Sequence, residues 1–166
     1  MFPWEATTED EFMLAVEQLQ AEYDRGDYIA GWHLMSVFRP GNMVYPEAWR
    51  TRVGASESKC HALSVDVFER AMQLAAGGDG RAMHVVATYY QGGNLVVAPD
   101  CKQHLDWCVR AVEAGFIHAA NDLYTHYACP SKDNNPELAQ HYLDLLEAHN
   151  ARLVTIWHSD GTESAD

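Results

Sequence analysis

The sequence predicts an all-α fold, a run of short amphipathic helices joined by turns that contain glycine or proline. Apolar residues recur at three- and four-residue spacing in every long segment, cap signals precede most segments, and glycine or proline follows them. The chain has 166 residues, of which 48 % are apolar, so it can bury one hydrophobic core without disulfide or metal cross-links. We expect one helical domain over residues 1–158 and a flexible tail over 159–166. Roughly two-thirds of the chain should be helical, with no sheet.

An N-terminal capping helix is predicted within residues 1–27. Thr8 and Glu11 have the T-x-x-E spacing of a capping box, in which each side chain accepts a hydrogen bond from the other residue's backbone N–H. An apolar stripe then begins at Phe12, and the opposite face is acidic. Gly26 should end this helix.

A divergent repeat with an insertion is predicted over residues 28–80. A helix over 28–38 has to stop before Pro40. Residues 42–57 contain a proline and a glycine and have no sustained period, so we expect a long loop there. A further helix over 58–76 should complete this segment.

Two helical hairpins are predicted after it, over residues 81–116 and 117–150. Asp100 begins the second helix of the first hairpin as an N-cap, and Pro136 follows an asparagine cap in the second hairpin. The four predicted helices cover residues 81–91, 100–115, 117–128 and 136–149.

Three helices share a pattern in which alanine, an aliphatic residue and an aromatic residue follow at four-residue spacing. The three copies are Ala30, Leu34 and Phe38; Ala82, Val86 and Tyr90; and Ala119, Leu123 and Tyr127. A recurring pattern of this kind is typical of helical repeat proteins.

The stretch 82–127 resembles a Sel1-like repeat, an αα-hairpin related to the tetratricopeptide repeat. The matching residues are Ala82, Val86, Tyr90, Gly93, Val97, Asp100, Trp107, Arg110, Ala111 and Gly115. Ala87 stands where the family has glycine, and Cys108 where it has tyrosine. The resemblance extends over about 30–149 and implies a right-handed αα-hairpin solenoid of about three repeats with an extra N-terminal helix. It also implies protein recognition or an adaptor role, without chemistry of its own.

The same resemblance implies that the first helix of each hairpin lines a concave surface. The lining positions are Ile29, Trp32, Ser36 and Arg39; Arg81, His84, Thr88 and Gln91; and His118, Asn121, Thr125 and Ala128. Every solenoid has a solvated face, so each of these residues is equally well explained as a solvated helix position without a binding role. Trp32 is either an interface anchor or a packing residue against the N-terminal helix, and we favour packing.

The charge balance favours a basic protein partner and argues against nucleic acid. The chain has 11 basic and 24 acidic residues, a formal net charge of -13. The first helix carries Glu11, Glu17 and Glu22 in a strongly acidic segment, which is either a solvated face or a docking surface for a cationic protein.

No catalytic, cofactor or metal-binding set follows from residue spacing. His118 and Asp122 share a helix face, but such a match is expected by chance in a chain rich in both residue types. Cys101 and His104 lie one turn apart without a third orienting residue. The four cysteines form no C-x-x-C pair and predict reduced thiols.

These features predict a non-enzymatic protein-binding module. We expect it in the cytoplasm, because no membrane span or signal peptide is recognisable. The first hypothesis is a bacterial immunity or antidote protein that occludes a basic toxin. A general adaptor or regulator in a signalling or secretion pathway is the alternative. If the concave face is not the binding element, Trp49, Arg50 and Arg52 in the 42–57 insertion are the next candidates.

Overall fold

The computed structural model describes residues 2–92, 96–130 and 133–159, with side chains described as far as Arg152. Helices make up 75 % of the structure, and the described ranges contain no strand, so the all-α prediction is confirmed. The helices are α1 (Glu9–Asp24), α2 (Tyr28–Phe38), α3 (Glu47–Arg52), α4 (Glu57–Ala76), α5 (Gly80–Gln91), α6 (Cys101–Glu113), α7 (Ala120–Ala128) and α8 (Pro136–Ser159). Short 3-10 turns occur at Pro3–Glu5 and Ile117–Ala119.

Cap signals set the helix ends where we expected them. The Thr8 hydroxyl accepts a hydrogen bond from the Glu11 backbone N–H at 3.3 Å, and the Glu11 carboxylate accepts one from the Thr8 N–H at 3.2 Å. Asp100 caps α6 by accepting a bond from the Gln103 N–H at 3.0 Å. After α1 the chain turns at Gly26, whose φ of 104° favours glycine.

The prediction of a continuous loop over 42–57 is wrong, because α3 lies inside it and α4 already begins at Glu57. Helix α3 has six residues, too few to give a periodic signal, and a helix of that length depends on tertiary contacts. Trp49 supplies one of these contacts, since its ring lies 5.5 Å from the Phe12 ring.

Helix α8 is also longer than predicted and continues beyond residue 149 to Ser159. The flexible tail was predicted over 159–166, so its first residue is helical, and residues 160–166 lie outside the described residues.

The chain divides into two compact units. Unit 1 comprises Met1–Gln73 and Gly92–Pro99, and unit 2 comprises Leu74–Gln91 and Asp100–Asp166. The division falls inside α4, whereas we expected the first repeat to end at residue 80. A single domain over 1–158 therefore stays a prediction.

Unit 1 has a core built mainly from α1 and α2. Its buried residues are Phe12, Val16, Leu19, Ala30, Leu34, Val37, Phe38 and Tyr45. Gly31 lets α2 approach its neighbours closely, because a Cβ atom there would lie 2.7 Å from both the Tyr23 ring and a Val67 methyl group. Any side chain at this position would displace one of them.

Unit 2 contains the α5/α6 and α7/α8 helix pairs. Its core cluster consists of Ala87, Cys108, Ala111, Ala119 and Leu123, all with 0 % exposure. The alanine and aliphatic positions of the repeated pattern are buried in all three copies: Ala30, Ala82, Ala119, Leu34, Val86 and Leu123. The shared spacing thus corresponds to shared burial.

Replacing Ala82 or Ala119 with leucine is expected to lower the free energy of unfolding by roughly 1–3 kcal/mol, because both sites are fully packed. Urea denaturation measures the change. Ala148→Leu is the matched control, since Ala148 is exposed on α8, and it should change stability by less than about 0.5 kcal/mol. Wild-type stability of both core variants would show that the repeat alanines are not close-packed.

Candidate functional site

A polar cluster lies in unit 2, where α5, α6 and α7 meet. His84 of α5 and Asp122 of α7 are joined by a 3.0 Å contact between Nε2 and Oδ2. Cys108 of α6 lies with its Sγ 3.9 Å from the same carboxylate oxygen. The Cys108 side chain is fully buried, whereas the side chains of His84 and Asp122 are each 25 % exposed. The cluster therefore reaches from the core to the surface.

His104 lies behind this cluster and is 7 % exposed. Its Nδ1 is 3.0 Å from the Ala87 carbonyl oxygen, which can only accept, so Nδ1 carries a proton. The ring lies against Cys108, with Nε2 3.9 Å from Sγ. The carbonyl of α5 thereby orients a buried imidazole next to a buried thiol.

The electrostatics of the cluster keep Asp122 charged and Cys108 neutral. The hydrogen bond from His84 lowers the pKa of Asp122 and outweighs the opposing effect of burial. Burial, reinforced by the Asp122 carboxylate, raises the pKa of the Cys108 thiol to about 12. Cys108 is therefore protonated at neutral pH, unlike the activated thiolate of a cysteine nucleophile.

Aromatic rings extend from this cluster along the surface of unit 2. The His84 ring lies 5.3 Å from Phe116, which is followed by His118 at 5.5 Å and His149 at a further 5.3 Å. His84 is half-buried and His118 is exposed. The rings therefore lead from the polar cluster to an exposed lining residue.

Most predicted lining residues of unit 2 are exposed: Arg81, Gln91, His118, Asn121, Thr125 and Ala128. His84 and Thr88 are half-buried. The hydroxyls of Thr88 and Thr125 donate to carbonyls of their own helices, at 2.7 Å to Val85 and 2.8 Å to Asn121. The exposed polar side chains for which no such bond within a helix is described are those of Arg81, Gln91, His118 and Asn121.

The predicted lining residues of unit 1 are less exposed. Ile29, Trp32 and Ser36 are half-buried, and Arg39 is exposed. The Ser36 hydroxyl donates to the His33 carbonyl at 2.7 Å.

The acidic side of α1 is only partly open. Glu17 is exposed, Glu11 and Glu22 are half-buried, and the Glu11 carboxylate also accepts hydrogen bonds from the Thr7 N–H and hydroxyl, both at 2.8 Å. These backbone and side-chain bonds lower the pKa of Glu11. Glu11 thus caps its own helix. The exposed face consists of Asp10, Leu14, Glu17, Gln18, Ala21 and Asp24, which we call the acidic face of α1.

The three candidate residues of the insertion have partners within unit 1. The Arg50 guanidinium donates to the carbonyls of Val37 at 3.0 Å and Asn42 at 3.5 Å, and also to that of Arg39, near the end of α2. Arg52 pairs with Glu9 at 2.8 Å. With Trp49 packed on Phe12, these contacts attach the insertion to α1 and α2.

Sequence reasoning missed the cluster because its members come from three helices. Spacing along one helix paired Asp122 with His118 and His104 with Cys101. The structure places Asp122 against His84, and His104 against Cys108, while Cys101 is exposed. The available signal was Cys108 itself, a cysteine where the resembling repeat has tyrosine.

Comparison with protein-family models, curated proteins and solved structures finds no match. Within the described part of the chain, no helix combines the length and apolar character needed to cross a bilayer. Function is therefore inferred from the positions and chemistry of the described side chains.

Proposed function

We propose that the chain is a non-enzymatic protein-binding module, a right-handed solenoid of Sel1-like hairpins with an extra N-terminal helix. The observation that carries this proposal is the exposure of polar side chains at predicted lining positions of α5 and α7, the first helices of two successive hairpins. Helical repeat arrays bind their partners through extended surfaces of this kind. Burial of the repeat alanines supports the alignment that assigns Arg81, His118 and Asn121 to this surface.

The chemistry of the polar cluster supports a binding role rather than catalysis. A cysteine enzyme needs a thiolate, and burial keeps the Cys108 thiol protonated. His104, the imidazole beside it, is itself buried and bonded to the Ala87 carbonyl. These groups are well placed to join helices and poorly placed to meet a substrate.

The partner that fits best is a basic protein. The net charge of -13 and the exposed carboxylates of Asp10, Glu17 and Asp24 attract a cationic surface, and Leu14, 54 % exposed between them, offers an apolar contact. We therefore propose a bacterial immunity or antidote protein that acts in the cytoplasm and occludes a basic toxin.

An adaptor with several partners is the second candidate. Unit 1 carries a separate exposed aromatic surface, in which the rings of Phe2 and Trp4 stack at 4.3 Å and the His33 ring lies 5.0 Å from Trp4. Phe2 and Trp4 are both more than two-fifths exposed. A second surface of different chemistry favours a second partner.

The two candidates differ in the number of partners and in toxicity. The tagged chain is used to capture proteins from a native lysate, and each captured protein is then expressed alone and together with the chain. An immunity protein yields one basic partner whose toxicity disappears on co-expression. Several partners of unrelated charge, none of them toxic, would contradict the immunity proposal and support the adaptor.

Binding kinetics with the captured partner should separate the two surfaces. We expect Glu17→Lys to slow association by up to about fivefold and to weaken its salt dependence, because an exposed ion pair contributes at most about 1 kcal/mol. Asn121→Ala should instead speed dissociation by about tenfold, since central contacts lose their water on binding.

Glu69→Lys is the matched control for charge reversal, because Glu69 is exposed on α4. It should leave both rates within twofold of wild type. Wild-type kinetics for Asn121→Ala and for Arg81→Ala would show that the surface formed by α5 and α7 does not bind the partner.

A further inference from the structure

We propose that His84, Cys108 and Asp122 together bind one zinc ion. Each residue comes from a different helix, and the three donor atoms, an imidazole nitrogen, a sulfur and a carboxylate oxygen, all lie within 4.8 Å of one another. His84 Nε2 lies 3.0 Å from the Asp122 oxygen and Cys108 Sγ lies 3.9 Å from it, and the nitrogen and the sulfur are at most 4.8 Å apart. Tetrahedral zinc with bonds of about 2.0–2.3 Å places its ligands roughly 3.3–3.7 Å apart. Rotation of the His84 and Cys108 side chains by about 1 Å at the donor atoms therefore suffices to hold the ion.

The donor set selects zinc over the hard cations. Magnesium and calcium are bound by oxygen ligands, whereas a sulfur and an imidazole nitrogen suit zinc. Three protein ligands leave a fourth position for water. The quarter-exposed side chains of His84 and Asp122 form the side from which the ion enters, and Cys108 forms the buried end.

The surroundings hold the sulfur ligand in place. Cys108 packs among Ala87, Ala111 and Leu123, an apolar shell that excludes water from Sγ. His104 contacts the same sulfur and is fixed by its bond to the Ala87 carbonyl. Outer contacts of this kind orient metal ligands and tune their affinity, so His104 is a positioning residue.

Binding follows a simple proton balance. The S–H bond of Cys108 breaks, its proton leaves to solvent, and a bond between sulfur and zinc forms. In the metal-free protein the ionised Asp122 accepts a hydrogen bond from His84 Nε2, so that nitrogen must lose its proton. Solvent returns a proton to His84 Nδ1, and Nε2 then coordinates zinc. No electron transfer is involved.

Zinc at this position would connect the α5/α6 pair to α7. Since α5 and α7 also carry the exposed polar side chains described above, the ion would stabilise that surface from within. The zinc site itself does not depend on the protein-binding proposal, because it is argued from the three ligand residues alone.

Titration of the reduced full-length chain with Co²⁺ tests the site. We expect one equivalent to produce a thiolate-to-cobalt charge-transfer band and the intense visible bands of tetrahedral cobalt, and Zn²⁺ to remove both. The thiolate band is decisive because nine histidines can bind cobalt adventitiously but give no sulfur signal. In addition, zinc at 100 times its dissociation constant should raise the melting temperature by about 5–10 °C.

Substitutions test which residues bind the metal. Cys108→Ser should lose the thiolate band, whereas Cys101→Ser and Cys129→Ser should keep it, since those two thiols are exposed. His84→Gln should weaken binding at least as much as the roughly 10–100-fold loss typical of outer-shell changes. His141→Gln, at an exposed histidine, should bind as wild type does.

Circular dichroism checks that each variant is folded, and His84→Gln still tests the site if Cys108→Ser unfolds. Absence of the thiolate band in the folded wild-type chain would overturn the proposal. Persistence of the band in folded Cys108→Ser, or wild-type affinity in His84→Gln, would overturn it as well.

Discussion

Replacing Phe12 with alanine should lower the free energy of unfolding by about 3–5 kcal/mol. Phe12 is fully buried in the core of unit 1, and its ring lies 5.2 Å from Tyr45 and 5.5 Å from Trp49. The variant loses the packing of α1 against α2 and also the surface on which the insertion rests. Chemical denaturation followed by circular dichroism measures the change in the free energy of unfolding.

Leu14→Ala is the control for this substitution because Leu14 lies on the same helix but is 54 % exposed. It should change the free energy of unfolding by less than about 0.5 kcal/mol. Equal effects of Phe12→Ala and Leu14→Ala would show that Phe12 does not pack in the core of unit 1.

Replacing Leu123 with alanine should lower the free energy of unfolding by about 2–5 kcal/mol. Leu123 has 0 % exposure and packs in the unit 2 cluster with Ala87, Cys108 and Ala119. Its small neighbours cannot extend into the space that the missing side chain leaves, so the cavity term adds to the lost burial. Urea denaturation monitored by circular dichroism measures the loss.

Leu138→Ala is the matched control in the same unit, because Leu138 is 37 % exposed on α8. Its effect should be at most about two-thirds of that of Leu123→Ala, in proportion to the smaller apolar area that a side chain 37 % exposed buries. Equal effects would show that the repeat position of Leu123 is not a core position.

Local signals were enough to predict most of the helices. The capping box of Thr8 and Glu11 and the cap at Asp100 depend on residues a few positions apart, and the structure contains both. The repeated alanine and aliphatic positions were likewise visible as spacing, and they are buried. Helix α3 was missed because it has only six residues and is held by distant contacts such as that between Trp49 and Phe12.

The candidate binding residues remain predictions from the sequence. The lining positions followed from the repeat resemblance and stay a prediction: Arg81, Gln91, Asn121 and Thr125 are exposed, whereas His84 and Thr88 are half-buried. Glu11, in contrast, is predicted both as a capping residue and as part of an acidic docking surface, and its hydrogen bonds with Thr7 and Thr8 engage it as a cap. The Glu11 carboxylate, which caps the helix, is thus a poor candidate for attracting a cationic partner.

The amino-acid sequence alone was sufficient for the helical class, the cap positions, the repeated buried alanines and the acidic character of α1. These properties depend on neighbours within one or two helical turns and on composition. Only the tertiary structure brought His84, Cys108 and Asp122 together and turned Arg50 toward the carbonyls near the end of α2. The physical reason is that contacts between helices depend on crossing geometry and side-chain volume, which no spacing along the chain encodes.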